Sequence, residues 1–481
     1  LAITDSTLLF AKLPGFEALL AVALRLWPNG MATLRTLTGA LGVLTVVTLY
    51  GVTRHITRDR LLAPLAALLL ALYPQAVLYS RFGFSYNLLG PLVLLTFWAL
   101  WQARDQGPLW LMAAGLTIGP GGICDLWMFV ILVPLLLVGA LCCGRARRPW
   151  WPLLASLVWV VLPFAIYALM MHLRAPQVFW FDLRFTFARL SGVSLTTQLG
   201  KLARNYTVLL TQDPWLALAL VGLGMGLGAQ RPPLVRLSTL ALFFLFAPII
   251  ALGRTEALYN LSAYYTIPLF PFIALGVAML LCQGVPYLWR EVSRAVATGL
   301  AQWPWLAHTG YTARVTTAAS WGARLLLGVL LLTPFVTLVA HTVQQVHTHI
   351  PTIIDPFLLN PADARDAADF VNGLAPTHLA PDAMVLASPG LAWQLHLPTA
   401  DFQMAANAAG YATPHLPRDL PSSRYAFDPR LANAQCVIVD NLWHTWAIWN
   451  VPGVDAMLAE VQTWPEVFRA GDVGVYCREG M

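Results

Sequence analysis

Residues 126–143 read LWMFVILVPLLLVGALCC, eighteen consecutive residues without a charged side chain. This stretch is a candidate transmembrane helix, because about twenty apolar residues cross the hydrocarbon core of a bilayer. The whole chain of 481 residues has the same character: 58% are hydrophobic, 11% are charged, and the mean hydropathy is +0.65. Since soluble domains carry about 25% charged residues, the composition excludes a soluble enzyme for most of the length and indicates a polytopic membrane protein.

Further apolar runs of this kind recur along the first two thirds of the chain. Ten of them are predicted to cross the membrane, at 31–53, 61–79, 87–103, 108–122, 126–143, 151–173, 206–229, 234–252, 261–283 and 323–343. The run at 108–122 is short and ends in Gly119, Pro120, Gly121 and Gly122, which is typical of a broken or partly buried helix. We therefore expect a helical transmembrane domain over 31–343, preceded by an extracytoplasmic amphipathic segment over 1–30.

Arginines mark every second loop between these runs. They are Arg54, Arg58, Arg60, Arg104, Arg145, Arg147, Arg148, Arg231, Arg236, Arg290, Arg294, Arg314 and Arg324. Cytoplasmic loops of membrane proteins are enriched in Arg and Lys, so these loops are predicted to be cytoplasmic and both ends of the chain to lie outside. The net charge of +6 then reflects topology in a multi-pass protein of the cell inner (cytoplasmic) membrane, and no nucleic-acid partner is expected.

One outer loop, 174–205, is also basic: five of its residues are Arg or Lys and one, Asp182, is acidic. Two interpretations stay open for it. The loop contacts lipid headgroups, or it attracts an anionic, phosphate-bearing substrate to a cavity beside the membrane.

The composition changes after residue 345, where Ala, Asp, Pro and Asn become frequent. A helical pattern over 363–374 is followed by strand-like runs at 383–387, 435–439 and 474–477. This alternation predicts a small extracytoplasmic α/β domain over 345–481. Cys436 and Cys477 lie in two of these runs, where they either form a disulfide or pack as small hydrophobic side chains. The cysteines show no metal-binding spacing, so no metal is expected.

Several short segments occur in the order found in one family of membrane enzymes. They are Lys12-Leu13-Pro14 with Leu34-Arg35, Tyr79-Ser80-Arg81 with Tyr86-Asn87, the segment Tyr264 to Pro271 (YYTIPLFP), and the terminal segment Trp464 to Gly471. Together they resemble polytopic glycosyltransferases of the GT-C fold, in particular the protein-mannosyltransferase and aminoarabinose-transferase-like group. The resemblance implies a GT-C-like helical bundle with a periplasmic domain at the C-terminus.

The resemblance also implies a reaction. Enzymes of this group take a sugar from a polyprenyl-phosphate carrier in the bilayer and transfer it to an acceptor at the outer face. Fixed cations stabilise the departing phosphate, and a carboxylate deprotonates the acceptor. No cofactor is implied.

Individual residues can be matched to these roles, each with a simpler structural alternative. Lys12 matches the phosphate-contacting lysine or snorkels at the interface. Arg81 faces the donor phosphate or anchors a helix end, and Tyr264 and Tyr265 bind the phosphate or sugar or belong to an aromatic belt. Further polar candidates for substrate binding are Asn87 and Arg254, the latter with Glu256 as a simple ion pair in the alternative.

Two departures from the family pattern concern catalysis. The expected catalytic acid would lie upstream of Leu1, and Asn87 stands where the family often has aspartate. Asn87 can form hydrogen bonds but cannot act as a base. The remaining catalytic candidates are Asp125, an acid at the edge of a span that could instead cap a helix, and Glu256.

Three functions therefore compete. The leading hypothesis is a glycosyltransferase with a polyprenyl-phosphate-linked sugar and the lipid bilayer as partners. The alternative is a non-catalytic structural or accessory subunit that uses the same fold with other membrane-protein subunits. A transporter is third, because the two halves of the sequence show no internal repeat.

Overall fold

The computed structural model describes residues 13–144, 149–176, 179–184, 194–252, 263–284, 360–374, 379–380, 382–392, 394–414, 416, 418 and 420–478, with single positions between 290 and 343. The chain forms two compact units. The larger, here called the membrane unit, comprises Leu13–Tyr167 and Val193–Thr348. The smaller contains Ala168–Gly192 and His349–Met481.

The membrane unit is helical wherever the structure describes regular elements. Its α-helices are α1 (Pro14–Leu26), α2 (Gly30–Thr57), α3 (Leu62–Leu72), α4 (Pro74–Tyr79), α5 (Tyr86–Asp105), α6 (Trp110–Gly122), α7 (Leu132–Gly144), α8 (Trp151–Arg174), α9 (Leu195–Gln212), α10 (Pro214–Gly228), α11 (Pro232–Leu252) and α12 (Phe270–Met279). The 3₁₀ segments Leu126–Ile131 and Ala263–Leu269 lead into α7 and α12, and the π-helical turn Leu280–Gly284 follows α12. The final turns of α8 belong to the smaller unit.

Several of these helices are long and apolar enough to span a bilayer. Within the described residues they are Ala32–Thr57, Leu126–Gly144, Trp151–Arg174, Pro232–Ala251 and Tyr264–Gln283, and a bent pair formed by α9 and α10 adds a sixth candidate. The protein is thus a polytopic helical membrane protein, which confirms the predicted fold class. The predicted run at 323–343 lies outside the described residues apart from isolated positions.

The apolar run predicted as a span over 206–229 is not one continuous helix. The two helices in this region meet at an angle of 103°. Asp213 sits at the turn with non-helical dihedral angles, φ −130° and ψ 89°. The cause is Pro214, because the ring of a proline disfavours the helical conformation of the residue before it. The Asp213 carboxylate then caps the new helix by accepting a hydrogen bond from Trp215 N–H at 3.1 Å.

Small residues bring the central helices of the membrane unit together. A Cβ atom on Gly222 of α10 would lie 1.9 Å from the carbonyl oxygen of Gly276 on α12, and one on Gly276 would lie 2.6 Å from the carbonyl oxygen of Ala219. Transmembrane helices associate through such close backbone approach, since lipid offers no hydrophobic driving force between them. The α10–α12 pair therefore forms a fixed centre of the bundle.

The smaller unit contains a five-stranded sheet flanked by helices. Its elements are α13 (Pro361–Leu374), β1 (Met384–Ala387), α14 (Pro389–Ala392), β2 (Thr399–Ala400), α15 (Phe402–Ala408), β3 (Ala434–Val439), α16 (Ile448–Asn450), α17 (Val454–Val461), β4 (Glu466–Ala470) and β5 (Val473–Cys477). The strand order is β2-β1-β3-β5-β4, with the first three strands parallel and the last two joined antiparallel. Separate apolar clusters form around Trp443 and around Val371, with alternate residues of the central strands in each. The predicted small α/β fold at the C-terminus is confirmed.

Of the two alternatives that the sequence left open for Cys436 and Cys477, the structure shows the disulfide. Cys436 on β3 and Cys477 on β5 face each other in the antiparallel ladder. Their Cα atoms are 4.1 Å apart, and the sulfurs are bonded. Both residues are fully buried, so the bond joins the parallel and antiparallel parts of the sheet inside its core.

Candidate functional site

Four aromatic side chains from distant parts of the sequence meet at the beginning of α5. Tyr86, the first residue of α5, has its ring centroid 5.8 Å from that of Tyr264 and 5.6 Å from that of Tyr265. The two rings of the tyrosine pair are 4.3 Å apart. Phe84, in the turn before α5, stacks on Tyr264 at 5.0 Å. The structure therefore places the predicted Tyr264–Tyr265 pair within a cluster of phenols.

Asp125 lies in the same place, between the end of α6 and the 3₁₀ segment that leads into α7, and thus outside both helices. It caps that segment, as the simpler interpretation predicted, by accepting a hydrogen bond from Trp127 N–H at 2.9 Å. Its carboxylate also accepts a hydrogen bond from the Tyr86 hydroxyl. Burial raises the pKa of Asp125 to about 6, although both hydrogen bonds oppose this rise by stabilising the ionised form. An acid with this pKa is largely ionised at neutral pH, and the pKa is close to the value that suits a general base.

The first helix of the described chain packs against this acid. Gly15 N–H, in the first turn of α1, donates a 2.8 Å hydrogen bond to the carbonyl oxygen of Ile123. A side chain at Gly15 would collide with Cys124 Sγ at 2.5 Å, so the contact requires glycine. This docking brings the exposed Glu17 near enough for its charge to contribute to the raised pKa of Asp125.

An apolar groove of about 200 Å³ is lined by residues close in sequence to the tyrosine cluster: Asn87 follows Tyr86, and Ile267 lies two residues after Tyr265. Residues on α2, α3, α4, α5, α12 and the 3₁₀ segment before α12 form its walls, among them Gly39, Val43 and Phe270. Two hydroxyl groups in the walls are turned to backbone carbonyls: Thr45 donates to Leu41 at 2.7 Å, and Ser80 donates to Val77 at 2.8 Å. The groove therefore presents mostly hydrocarbon to a ligand.

Asn87 lines this groove, and its side-chain amide stabilises a turn. The Nδ2 atom donates to the carbonyl oxygens of Tyr79 at 3.0 Å and of Phe82 at 2.8 Å. Both amide hydrogens are thus used to hold the turn between α4 and α5, which carries Arg81 and Phe84. Only the side-chain oxygen of Asn87, a hydrogen-bond acceptor, is left for the predicted role in substrate binding.

The other predicted site residues are placed as follows. Arg81 is exposed on the turn that Asn87 holds, three residues before the ring that stacks on Tyr264. Lys12, Arg254 and Glu256 lie outside the described residues. Their roles stay predictions.

A second acid that accepts a hydrogen bond from a tyrosine, Asp213, was missed by the sequence analysis. The Tyr73 hydroxyl donates a hydrogen bond to Asp213 Oδ2, and Tyr73 also packs on Trp215 and Phe270, with ring centroids 5.1 Å and 4.9 Å away. The signal was present: Tyr73 and Asp213 each precede a proline that starts a new helix. This pair joins the break between α3 and α4 to the turn between α9 and α10.

Tyr86 and Glu17 were also missed. In the sequence Tyr86 is notable only as the neighbour of Asn87, and its partner Asp125 is 39 positions away. Glu17 is the single acid in α1, but periodicity gives no indication of which element it approaches. Across the described residues no group of three or more His, Cys, Asp or Glu side chains is placed to hold a metal ion.

These features define a class of protein: a polytopic helical membrane protein with a cluster of an acid and phenols, an apolar groove that shares α5 and a 3₁₀ segment with this cluster, and a separate α/β unit. The fold is that of ArnT, a GT-C glycosyltransferase. The chain is similar to the crystal structure of ArnT from Cupriavidus metallidurans bound to undecaprenyl phosphate, with a TM-score of 0.55 and 16% sequence identity over 97% of this chain and 88% of that one. It is equally similar to the same protein in the apo state, with a TM-score of 0.55, 16% identity, and coverage of 97% and 87%. The GT-C fold implied by the sequence motifs is confirmed.

No protein-family model matches the sequence, and no curated protein does either. At this level of identity the structural likeness establishes the fold. It does not establish the activity.

Proposed function

We propose that the protein is a membrane glycosyltransferase that moves a sugar from a polyprenyl-phosphate donor to an acceptor at the outer face of a bacterial inner membrane. The observation that carries the proposal is that the tyrosines around Asp125 stand on two elements that also line an apolar groove, α5 and the 3₁₀ segment before α12. A lipid-linked sugar has the matching form, a polar head on a hydrocarbon chain. One of the two ArnT structures with this fold is bound to undecaprenyl phosphate.

The polar end of the site suits the transfer step. The Asp125 carboxylate would take the proton from the acceptor hydroxyl or amine while the acceptor attacks the anomeric carbon of the donor sugar. The bond from that carbon to the phosphate oxygen breaks, and the phosphate leaves with the electron pair. Hydroxyl groups of Tyr264 and Tyr265 can donate to the phosphate oxygens, and the cations Arg81 and Lys12 would balance the charge that develops.

The apolar end suits the carrier. The groove is lined by Asn87, the residue after Tyr86, and by Ile267, two residues after Tyr265. A headgroup held by the tyrosines would therefore direct its first isoprene units into the groove. Gly39 makes this testable, because it lines the groove while a Cβ atom placed on it would meet no protein atom within 4 Å. A side chain at this position therefore begins in open space, and we expect a leucine here to occupy part of the groove.

The experiment is transfer by the purified protein in nanodiscs, with polyprenyl-phosphate sugars and lipid acceptors extracted from bacterial membranes. Asp125→Asn should lower the rate of sugar loss from the donor by about 10²–10⁴-fold, the usual contribution of a general base. Asp105→Asn is the matched control, because Asp105 forms an exposed ion pair with Arg236 at 3.6 Å and such pairs contribute little. Equal rates for wild type and Asp125→Asn would refute the assignment of the base.

A non-catalytic subunit is the second candidate. It is favoured by Asn87, which stands where the resemblance has aspartate and whose amide hydrogens both hold a turn. This role predicts that the protein binds a polyprenyl phosphate but transfers no sugar from any donor in the extract. Transfer that depends on Asp125 would exclude it.

The sidedness of the protein is part of the proposal. The arginine distribution supports an α/β domain outside the cytoplasm. A disulfide in that domain agrees with an oxidising compartment.

A further inference from the structure

Helix α9 differs from the helices that cross the membrane. It is 18 residues long, but of its residues whose burial the structure describes only Asn205 and Leu209 are buried. The helix that follows, α10, buries Trp215, Leu216 and Leu223 in the bundle. The angle of 103° between the two helices means that they cannot both run along the membrane normal.

The sequence of α9 is divided into two faces. At 100° per residue, Leu195, Leu199, Leu202, Tyr206 and Leu210 fall on one side of the helix. Leu195 is 70% exposed and Leu199 is 57% exposed, so the described part of the protein does not cover the centre of this apolar face.

The opposite side of α9 is polar and basic. Arg204 lies about 140° around the helix from Leu199, Lys201 lies on the same half, and the helix contains no acidic residue. A strong separation of this kind, with a cationic polar face, is the property of helices that lie in the plane of the membrane interface.

The turn that separates α9 from α10 is fixed by the core. The Asp213 carboxylate caps α10 and accepts a hydrogen bond from Tyr73, which is buried between Trp215 and Phe270. The direction in which α9 leaves the bundle is therefore set by buried contacts.

We propose that α9 lies flat in the headgroup layer at one membrane face, with its leucine face in the acyl chains and its basic face toward water and anionic headgroups. The occupant of the exposed leucine face is the lipid surface itself. The right-angle departure from a span and the charge of the helix both favour it over a protein partner. The inference does not depend on enzymatic activity.

Depth measurement by electron paramagnetic resonance tests it. A spin-labelled amino acid, introduced by genetic code expansion so that the native cysteines remain, replaces either Leu199 or Arg204 in the full-length protein in nanodiscs that contain phosphatidylglycerol. Oxygen concentrates in the bilayer and a nickel chelate stays in water. The ratio of oxygen to nickel accessibility should be high at Leu199 and low at Arg204.

A second pair, Leu195 and Thr197, stands 200° apart on the helix and should show the same contrast, which guards against a local effect of one label. Equal nickel accessibility at Leu199 and Arg204 would mean an aqueous helix and would overturn the proposal. A label at Leu199 that neither reagent reaches would mean that protein covers this face, either a second copy or another segment of the chain, and would overturn it as well.

Discussion

Removing the Tyr86 hydroxyl should raise the pKa of Asp125. In the structure, burial raises this pKa to about 6 and the hydrogen bond from Tyr86 holds it down. A hydrogen bond to a charged group contributes about 1.5–3 kcal/mol, and 1.36 kcal/mol corresponds to one pKa unit. Asp125 is half-buried, so water would replace part of the lost bond. The expected rise in Tyr86→Phe is therefore about one unit.

The pKa of Asp125 should rise, because the Tyr86 hydroxyl stabilises the ionised form of the carboxyl and this stabilisation is lost in Tyr86→Phe. With a pKa of about 7 in Tyr86→Phe, the ionised fraction of Asp125 at pH 7 would fall from about nine tenths to about one half. If Asp125 is the base, the acid limb of the pH–rate profile should move to higher pH by the same amount, with little change in the rate at high pH.

The pKa can be measured without an activity assay. Infrared spectra of the protein as a function of pH, with the spectra of Asp125→Asn subtracted, isolate the band of the protonated Asp125 carboxyl. The midpoint should lie near 6 in the wild type and about one unit higher in Tyr86→Phe. Tyr50→Phe is the control, because Tyr50 is 44% exposed on α2 and should leave the midpoint unchanged. A wild-type midpoint near 4, or no change in Tyr86→Phe, would refute the reasoning.

Three further changes have defined outcomes. Replacing Cys436 and Cys477 by alanine opens a loop whose ends are 41 residues apart and should destabilise the α/β domain by about 4 kcal/mol. The melting temperature of this domain should fall on the order of 10 °C. An unchanged melting temperature would contradict this. Gly222→Val should destabilise the bundle by at least about 1–3 kcal/mol, because its Cβ atom would overlap a backbone oxygen of α12. Gly224→Val, two residues away with nothing within 4 Å, should not, and equal thermal stability of the two variants in detergent would disprove the packing argument. Protease added to the cytoplasmic side of inverted vesicles should leave the α/β domain intact, whereas its digestion would reverse the proposed topology.

The sequence was sufficient for the features that depend on local composition. Runs such as 151–173 and 234–252 became α8 and α11 because an apolar segment of that length has few alternatives in lipid. The strands around Cys436 and Cys477 were predicted from short apolar runs, and pairing of adjacent strands brought the two cysteines into register. β2 was missed because two residues, Thr399 and Ala400, are too few to show alternation.

Features that depend on which elements meet could not be predicted in the same way. The hydrogen bond between Tyr86 and Asp125 joins the beginnings of two different helical segments, and nothing in either segment specifies the other. The groove is lined by residues of α2 and α12, among them Gly39, and a glycine in a helix does not reveal what it faces. The turn at Asp213 is different, since Asp-Pro between two helical patterns is a local signal, but it was obscured by the unbroken apolar composition around it.

Photo-crosslinking of a polyprenyl phosphate tests the central claim most directly. The probe carries a diazirine on an isoprene unit next to the phosphate, and labelled peptides are identified by mass spectrometry after irradiation of the protein in nanodiscs. The proposed function predicts labelling of α2 around Gly39 and of the segment from Ile267 to Pro271, removed by excess unlabelled polyprenyl phosphate. Labelling should be lost in Gly39→Leu and retained in Gly51→Leu, a change on the same helix away from the groove. Labelling of other helices, or labelling of α2 that persists in Gly39→Leu, would contradict the placement of the donor in this site.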